Sequence, residues 1–118
     1  MRKVLSADKK WKFIIENKDD FNASSLPHSV VYRSLKMGGM DGYAAMGYND
    51  SEWKTVELPH DRKNEAEFVS DGVSVHGSKK NEIVWYRKSF EMDSKYKNKH
   101  FFLVFEGISP YADIYFNG

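Results

Sequence analysis

The apolar residues of this chain recur every second position, and that spacing constrains the fold more than any other feature. Trp11, Phe13 and Ile15 alternate with Lys12, Ile14 and Glu16. Successive side chains of an extended strand point to opposite faces, so this spacing predicts a strand with Trp11, Phe13 and Ile15 turned inward. A second strand is expected over Trp53–Leu58, ending at Pro59, whose ring fixes φ and removes an N–H donor. Ile83–Phe90, rich in β-branched and aromatic residues, predicts a third. Phe101–Phe105 is a continuous apolar run, suited to a strand covered on both faces. Over Ile108–Phe116 the alternation returns, with Ile108, Ala112, Ile114 and Phe116 expected on the buried face. The fold class read from this pattern is all-β.

Long polar stretches separate the strands. Asn17–Asp50 shows no sustained period and reads as irregular loop, with one helical turn or short helix near Ser29–Met37. Arg62–Lys80 is also loop-like, and Glu91–His100 is a polar, Lys-bearing linker. The final dipeptide, Asn117-Gly118, favours a two-residue hairpin turn. Such a turn calls for a following strand, so the chain is expected to be the first part of a longer sandwich, with an open edge at its last strand. At 118 residues there is room for one small domain.

Composition narrows the function. Lys and Arg number 18 and Asp and Glu 17, a balance that gives no support to a nucleic-acid or membrane partner. No Cys is present, which excludes disulfides, thiolate metal sites and Cys nucleophiles. The apolar runs are far shorter than the ~20 residues of a membrane span, and the basic start lacks the apolar stretch of a signal peptide. Two readings fit: the protein stays where it is made, or the sequence begins after a removed signal.

Few residues are arranged for chemistry. His28, His60, His76 and His100 are scattered, with no second His at i+3 or i+4, so no metal site is expected. Gly38, Gly39 and Gly42 follow no strand, and no phosphate loop or nucleophile elbow occurs, so no cofactor is expected. The Met37, Met40 and Met46 group reads as loop or core filler. The acid pairs Asp19-Asp20 and Glu65/Glu67 read as solvated surface charge rather than a glycosidase carboxylate pair. Asn22-Ala23-Ser24 and Asn49-Asp50-Ser51 fit the glycosylation pattern, which is common by chance. Leu58-Pro59-His60-Asp61 places two polar side chains at a strand end, either as a structural turn or as binding groups. Trp85-Tyr86-Arg87 either fills the core with an aromatic ring and pairs Arg87 at the surface, or stacks on sugar.

Together and in order, these segments resemble the N-terminal sugar-binding domain of glycoside hydrolase family 2. The matching pieces are Trp11-Lys12-Phe13, Tyr48 through Trp53, Val56 through Asp61, Trp85 through Phe90, and Phe105-Glu106-Gly107 with Ala112 through Gly118. The Leu-Pro-His-Asp form looks most like the β-galactosidase branch. Three departures stand out: Arg62 follows Pro-His-Asp where Trp is usual, Lys79-Lys80-Asn81-Glu82 replaces a Gly-rich approach to Trp-Tyr-Arg, and Asn17–Tyr48 is longer than usual.

The resemblance implies a jelly-roll β-sandwich of the galactose-binding-domain type, with residues 1–118 its first part. It implies a retaining exo-glycosidase as parent, with both catalytic Glu residues in a later barrel, so no catalytic residue is expected here. It assigns motif roles in the fold to Trp53, Pro59, Trp85, Tyr86, Arg87, Gly107, Asn117 and Gly118, and places His60 and Asp61 nearest the sugar. The implied partners are a β-galactoside or related carbohydrate and the remaining domains of the same enzyme, with a homo-oligomer possible. The alternatives are a stand-alone carbohydrate-binding sandwich and an assembly domain pairing through its open strand.

Overall fold

The computed structural model describes residues 2–17, 19, 39–65, 82–108 and 111–118, with Lys63 described in its backbone alone. Three antiparallel strands form one sheet: β1 (Trp11–Ile15), β2 (Lys54–Val56) and β3 (Val84–Arg87). The order is β2-β1-β3, so the first strand is the central one. Lys12 faces Thr55 on one side and Arg87 on the other; Phe13 faces Lys54 and Tyr86. The Glu16 N–H donates to the Ile83 carbonyl at 2.8 Å, carrying the β1–β3 pairing one step further.

This register sorts the side chains. Residues directly opposite in an antiparallel pair share a face. Trp11, Phe13 and Ile15 therefore stand with Val56, Lys54, Tyr86 and Val84. Lys12 and Ile14 stand on the other face with Thr55, Arg87 and Trp85. Phe13 and Val56 are buried on the first face. On the second, a 3₁₀ turn at Gly42–Ala44 brings in Tyr43 and Ala44, which are buried, as are Met40 and Trp53. Gly42 opens that turn at φ 66°, a left-handed conformation that glycine adopts without steric cost. One short helix, α1 (Arg62–Glu65), follows the Leu58-Pro59 corner, where the peptide is cis and the Leu58 N–H donates to the Asp8 carbonyl at 2.8 Å.

The three predicted strands at 11–15, 53–58 and 83–90 are present, the last two shortened to three and four paired residues. Three expectations need correction. Phe101–Phe105 is not a paired strand, and all five residues are exposed, Phe102 at 79%. An extended segment becomes a strand only when a neighbouring edge takes up its N–H and C=O groups, and none of the described strands does so. Ile108–Phe116 is likewise no paired strand among the described residues, and neither alternating set is buried, Tyr111 being 95% exposed. Ile114 and Phe116 are exposed, whereas Tyr115 is half-buried and stacks on Trp85 at 5.9 Å between centroids and 25° between planes. The large Trp85 face attracts the ring that reaches it, whatever the alternation. Arg62–Glu65, expected as loop, forms the single turn of α1. The helical turn expected near Ser29–Met37 and most of Arg62–Lys80 lie outside the described residues. Asn117 and Gly118 have φ of 55° and 88°, the pair of positive values that a type I′ hairpin turn requires.

Candidate functional site

The two faces of the sheet carry two separate polar constellations. The first is built on the corner after β2. His60 is folded inward, its side chain 11% exposed, against Phe13 (ring centroids 4.7 Å apart). Its Nδ1 lies 2.7 Å from the Tyr86 hydroxyl, and its Nε2 lies 3.1 Å from Glu65 Oε1. Lys54 Nζ donates to the same carboxylate oxygen at 3.0 Å. An ionised carboxylate can only accept, so His60 Nε2 carries the proton and donates to Glu65. Neutral Nδ1 then accepts from Tyr86 O–H along the 2.7 Å contact. With Nδ1 also protonated, the hydroxyl would have to use the longer 3.4 Å contact to the His60 carbonyl.

Burial raises the Tyr86 phenol above its ordinary pKa, with the charges of Asp61 and Glu65 adding to the effect. Glu65 is held below the usual carboxylate value, first by its hydrogen bond from Lys54 and then by that from His60. The ionised carboxylate is therefore favoured by folding. Its stabilisation is complete above the ordinary carboxylate range and is lost as pH falls through the lowered pKa. In urea titrations the midpoint is expected to fall on acidification from about pH 5 to about pH 3. Glu65→Gln is expected to show a smaller fall over that window; an unchanged pH profile would contradict the assignment.

Both ring nitrogens of His60 are thus engaged within the fold, so the imidazole wedges the corner against the sheet. Asp61 is exposed beside it. Of the two residues expected near sugar, the structure buries one and leaves the other at the surface. The departure Arg62 faces the departure Glu82: Nε and Oε2 are 3.2 Å apart, an ion pair by distance without the alignment of an N–H···O bond.

The second constellation centres on Arg87. Its guanidinium donates to the carbonyls of Tyr43 (2.5 Å) and Ala45 (3.0 Å), and Nε donates to Asp50 Oδ2 at 3.2 Å. It also lies over the rings of Tyr48 and Trp53, at 5.6 and 6.0 Å. Tyr43 contacts Tyr48, Trp53 and Trp85 through ring edges. Trp85 Nε1 donates to Glu16 Oε2 at 2.7 Å. The Trp85-Tyr86-Arg87 run therefore serves both faces at once: Trp85 and Arg87 organise one, Tyr86 the other. Trp85 and Tyr86 are half-buried, and the Arg87 side chain is more enclosed than a surface pair, at 17% exposure.

Sequence reasoning missed Glu65, Glu16 and Asp50 as partners. Only Asp50 had a local signal, since Asn49 Oδ1 accepts from the Ser51 N–H at 3.1 Å in a turn that sets Asp50's position. Pro59 is exposed at the cis corner, and Trp53 is buried at 5%. Gly107 has open space where a Cβ would stand. Met40 is core, as expected for one of the three grouped methionines, whereas Met46 is 65% exposed and Met37 lies outside the described residues. So do Asp20 and Glu67, the second members of the two acid pairs, and the first glycosylation-like triplet. Among the described residues, no group of three or more His, Asp or Glu gathers in a way that could hold a metal ion, and no helix is long and apolar enough to cross a membrane.

Comparison with known proteins adds what the geometry does not carry. No family model matches the chain, and no solved structure matches it significantly. Curated proteins do. It is 34% identical over 76 residues to a β-glucuronidase of Formosa agariphila, covering 62% of this chain and 8% of the relative. It is 31% identical over 77 residues to a β-galactosidase of Bacteroides ovatus, covering 64% and 9%. A β-galactosidase of Thermoanaerobacter pseudethanolicus is 32% identical over 74 residues, covering 60% and 9%. The matched stretch spans less than a tenth of the length of each of these relatives. By sequence, this chain is a homologue of a short segment of the β-glucuronidases and β-galactosidases of the glycoside hydrolase family 2 type.

Proposed function

We propose that this chain is part of the N-terminal jelly-roll domain of a retaining exo-glycosidase that acts on β-galactosides or related glycosides, glucuronides among them. The observation that carries the reading is the one-sided coverage. Similarity to named glycosidases extends over 60–64% of this chain but only 8–9% of theirs. In this reading both catalytic carboxylates lie in other parts of the enzyme, and the present residues support the pocket rather than perform the reaction. His60 ties the corner to Phe13 and Tyr86, and so sets where exposed Asp61 stands at the rim. Arg87 does the equivalent for the 43–50 segment on the opposite face.

The test is direct. The 118-residue chain and the polypeptide encoded by its full reading frame are assayed on p-nitrophenyl β-galactoside and β-glucuronide. Hydrolysis by the longer protein alone is expected. Turnover by the 118-residue chain, or inactivity of a folded longer protein on both substrates, overturns the reading.

A further inference from the structure

The near-zero net charge of this chain conceals a strong division. Residues 2–12 hold five cationic side chains against one acidic, and residues 88–100 hold four against two. These segments therefore carry a formal +6 and the remainder of the chain −5, within a total of +1. They are far apart in sequence but adjacent in the structure. Lys3 Nζ donates to the Tyr96 hydroxyl at 2.9 Å, across 93 positions. Lys88 Nζ donates to the Lys9 carbonyl.

Aromatic rings are interleaved with these cations. Lys88 lies over Trp11 at 5.9 Å and over Phe90 at 5.4 Å, and Lys3 and Lys95 lie over Tyr96 at 5.6 and 5.0 Å. Phe90 is 44% and Phe101 56% exposed, and Lys95, Lys97 and Lys99 are all exposed, Lys95 within an ion pair to Asp93 Oδ2 at 2.8 Å. The hydrogen bond from Lys3 lowers the Tyr96 phenol pKa, as close packing of cations on that ring requires.

We propose that this basic, aromatic-lined strip binds a polyanionic glycan, a chain of sugars bearing carboxylate or sulfate groups. The exposed Lys97 and Lys99 ammonium groups pair with the anions as mobile point charges, and the exposed rings of Phe90 and Phe101 meet the apolar faces of the sugars. Among polyanions, the acidic remainder of the chain favours a short local contact, since a long, densely charged strand would be repelled beyond the strip. The proposal rests on the glycoside reading above and adds to it a second binding surface built on residues other than His60 and Asp61.

Affinity electrophoresis of the full chain tests it, with polygalacturonate, dextran, single-stranded DNA and phosphatidylserine vesicles as probes. Polygalacturonate is expected to retard the chain at about 50 mM salt, with binding weakening several-fold by about 200 mM, and dextran is expected to leave it unretarded. Lys95→Gln/Lys97→Gln/Lys99→Gln is expected to bind polygalacturonate about tenfold more weakly. Should that variant misfold by circular dichroism, the salt dependence of the unaltered chain decides in its place. Binding that is absent, indifferent to salt, or unchanged in the folded variant overturns the proposal. So does equal binding of DNA or vesicles, which would mark a general polyanion surface. None of these results bears on hydrolysis by the longer protein, so the two readings fail separately.

Discussion

Phe13→Ala is expected to destabilise the chain by about 3–4 kcal/mol, read as a shift in the urea unfolding curve followed by tryptophan fluorescence. Phe13 is 5% exposed at the centre of the central strand. Its ring meets His60 at 4.7 Å and Tyr86 at 5.1 Å, so the truncation leaves a cavity bounded by β3 and by the corner after β2. Neither neighbour is free to collapse into the gap, because His60 is held by Tyr86 and Glu65. Phe13→Leu keeps most of the volume and should cost under about 1.5 kcal/mol. Equal losses for the two variants would mean that ring volume at this position does not anchor the sheet.

Arg87→Ala is expected to cost about 3 kcal/mol, mostly because of what it leaves behind. The guanidinium satisfies two backbone carbonyls beside buried Tyr43 and Ala44, together with the Asp50 carboxylate. Removing it strands three acceptors where water is largely excluded. Arg87→Lys should recover only part of the loss. An ammonium reproduces the charge but cannot direct N–H groups to Asp50 and both carbonyls at fixed angles. Asp50→Ala should couple strongly to Arg87→Ala, the double variant costing less than the two single losses added. Full rescue by Lys, or strict additivity with Asp50→Ala, would remove Arg87 as the organiser of this face.

Much of the sheet was legible because its signals are local. Alternation at Trp11–Ile15 placed β1, Pro59 ended the segment holding β2, and the β-branched and aromatic run placed β3. Asn117-Gly118 carried its own turn chemistry, and both residues take the positive φ that the dipeptide favours. The five ordered motifs also pointed to glycosidase relatives, which the curated proteins bear out. What failed was inference about covering. Phe101–Phe105 is apolar enough for a doubly covered strand, yet covering is supplied by other elements and cannot be written into five residues. The strand expected over 108–116 failed for a related reason: alternation makes a strand only beside a partner edge, and the one ring drawn inward, Tyr115, is held by its packing on Trp85.

The candidate site divides in the same way. Residue types and their order marked His60, Asp61 and Trp85-Tyr86-Arg87 as positions of interest from the sequence alone, as they did the three strands and the all-β character. Their partners belong to tertiary structure. Glu65 reaches His60 from a helical turn, Asp50 reaches Arg87 across 37 positions, and Glu16 reaches Trp85 across 69. Strand propensity and turn chemistry act over a few residues and so are written locally. Hydrogen bonds and ion pairs between distant segments depend on register and chain reversal, and these are settled only when the sheet assembles.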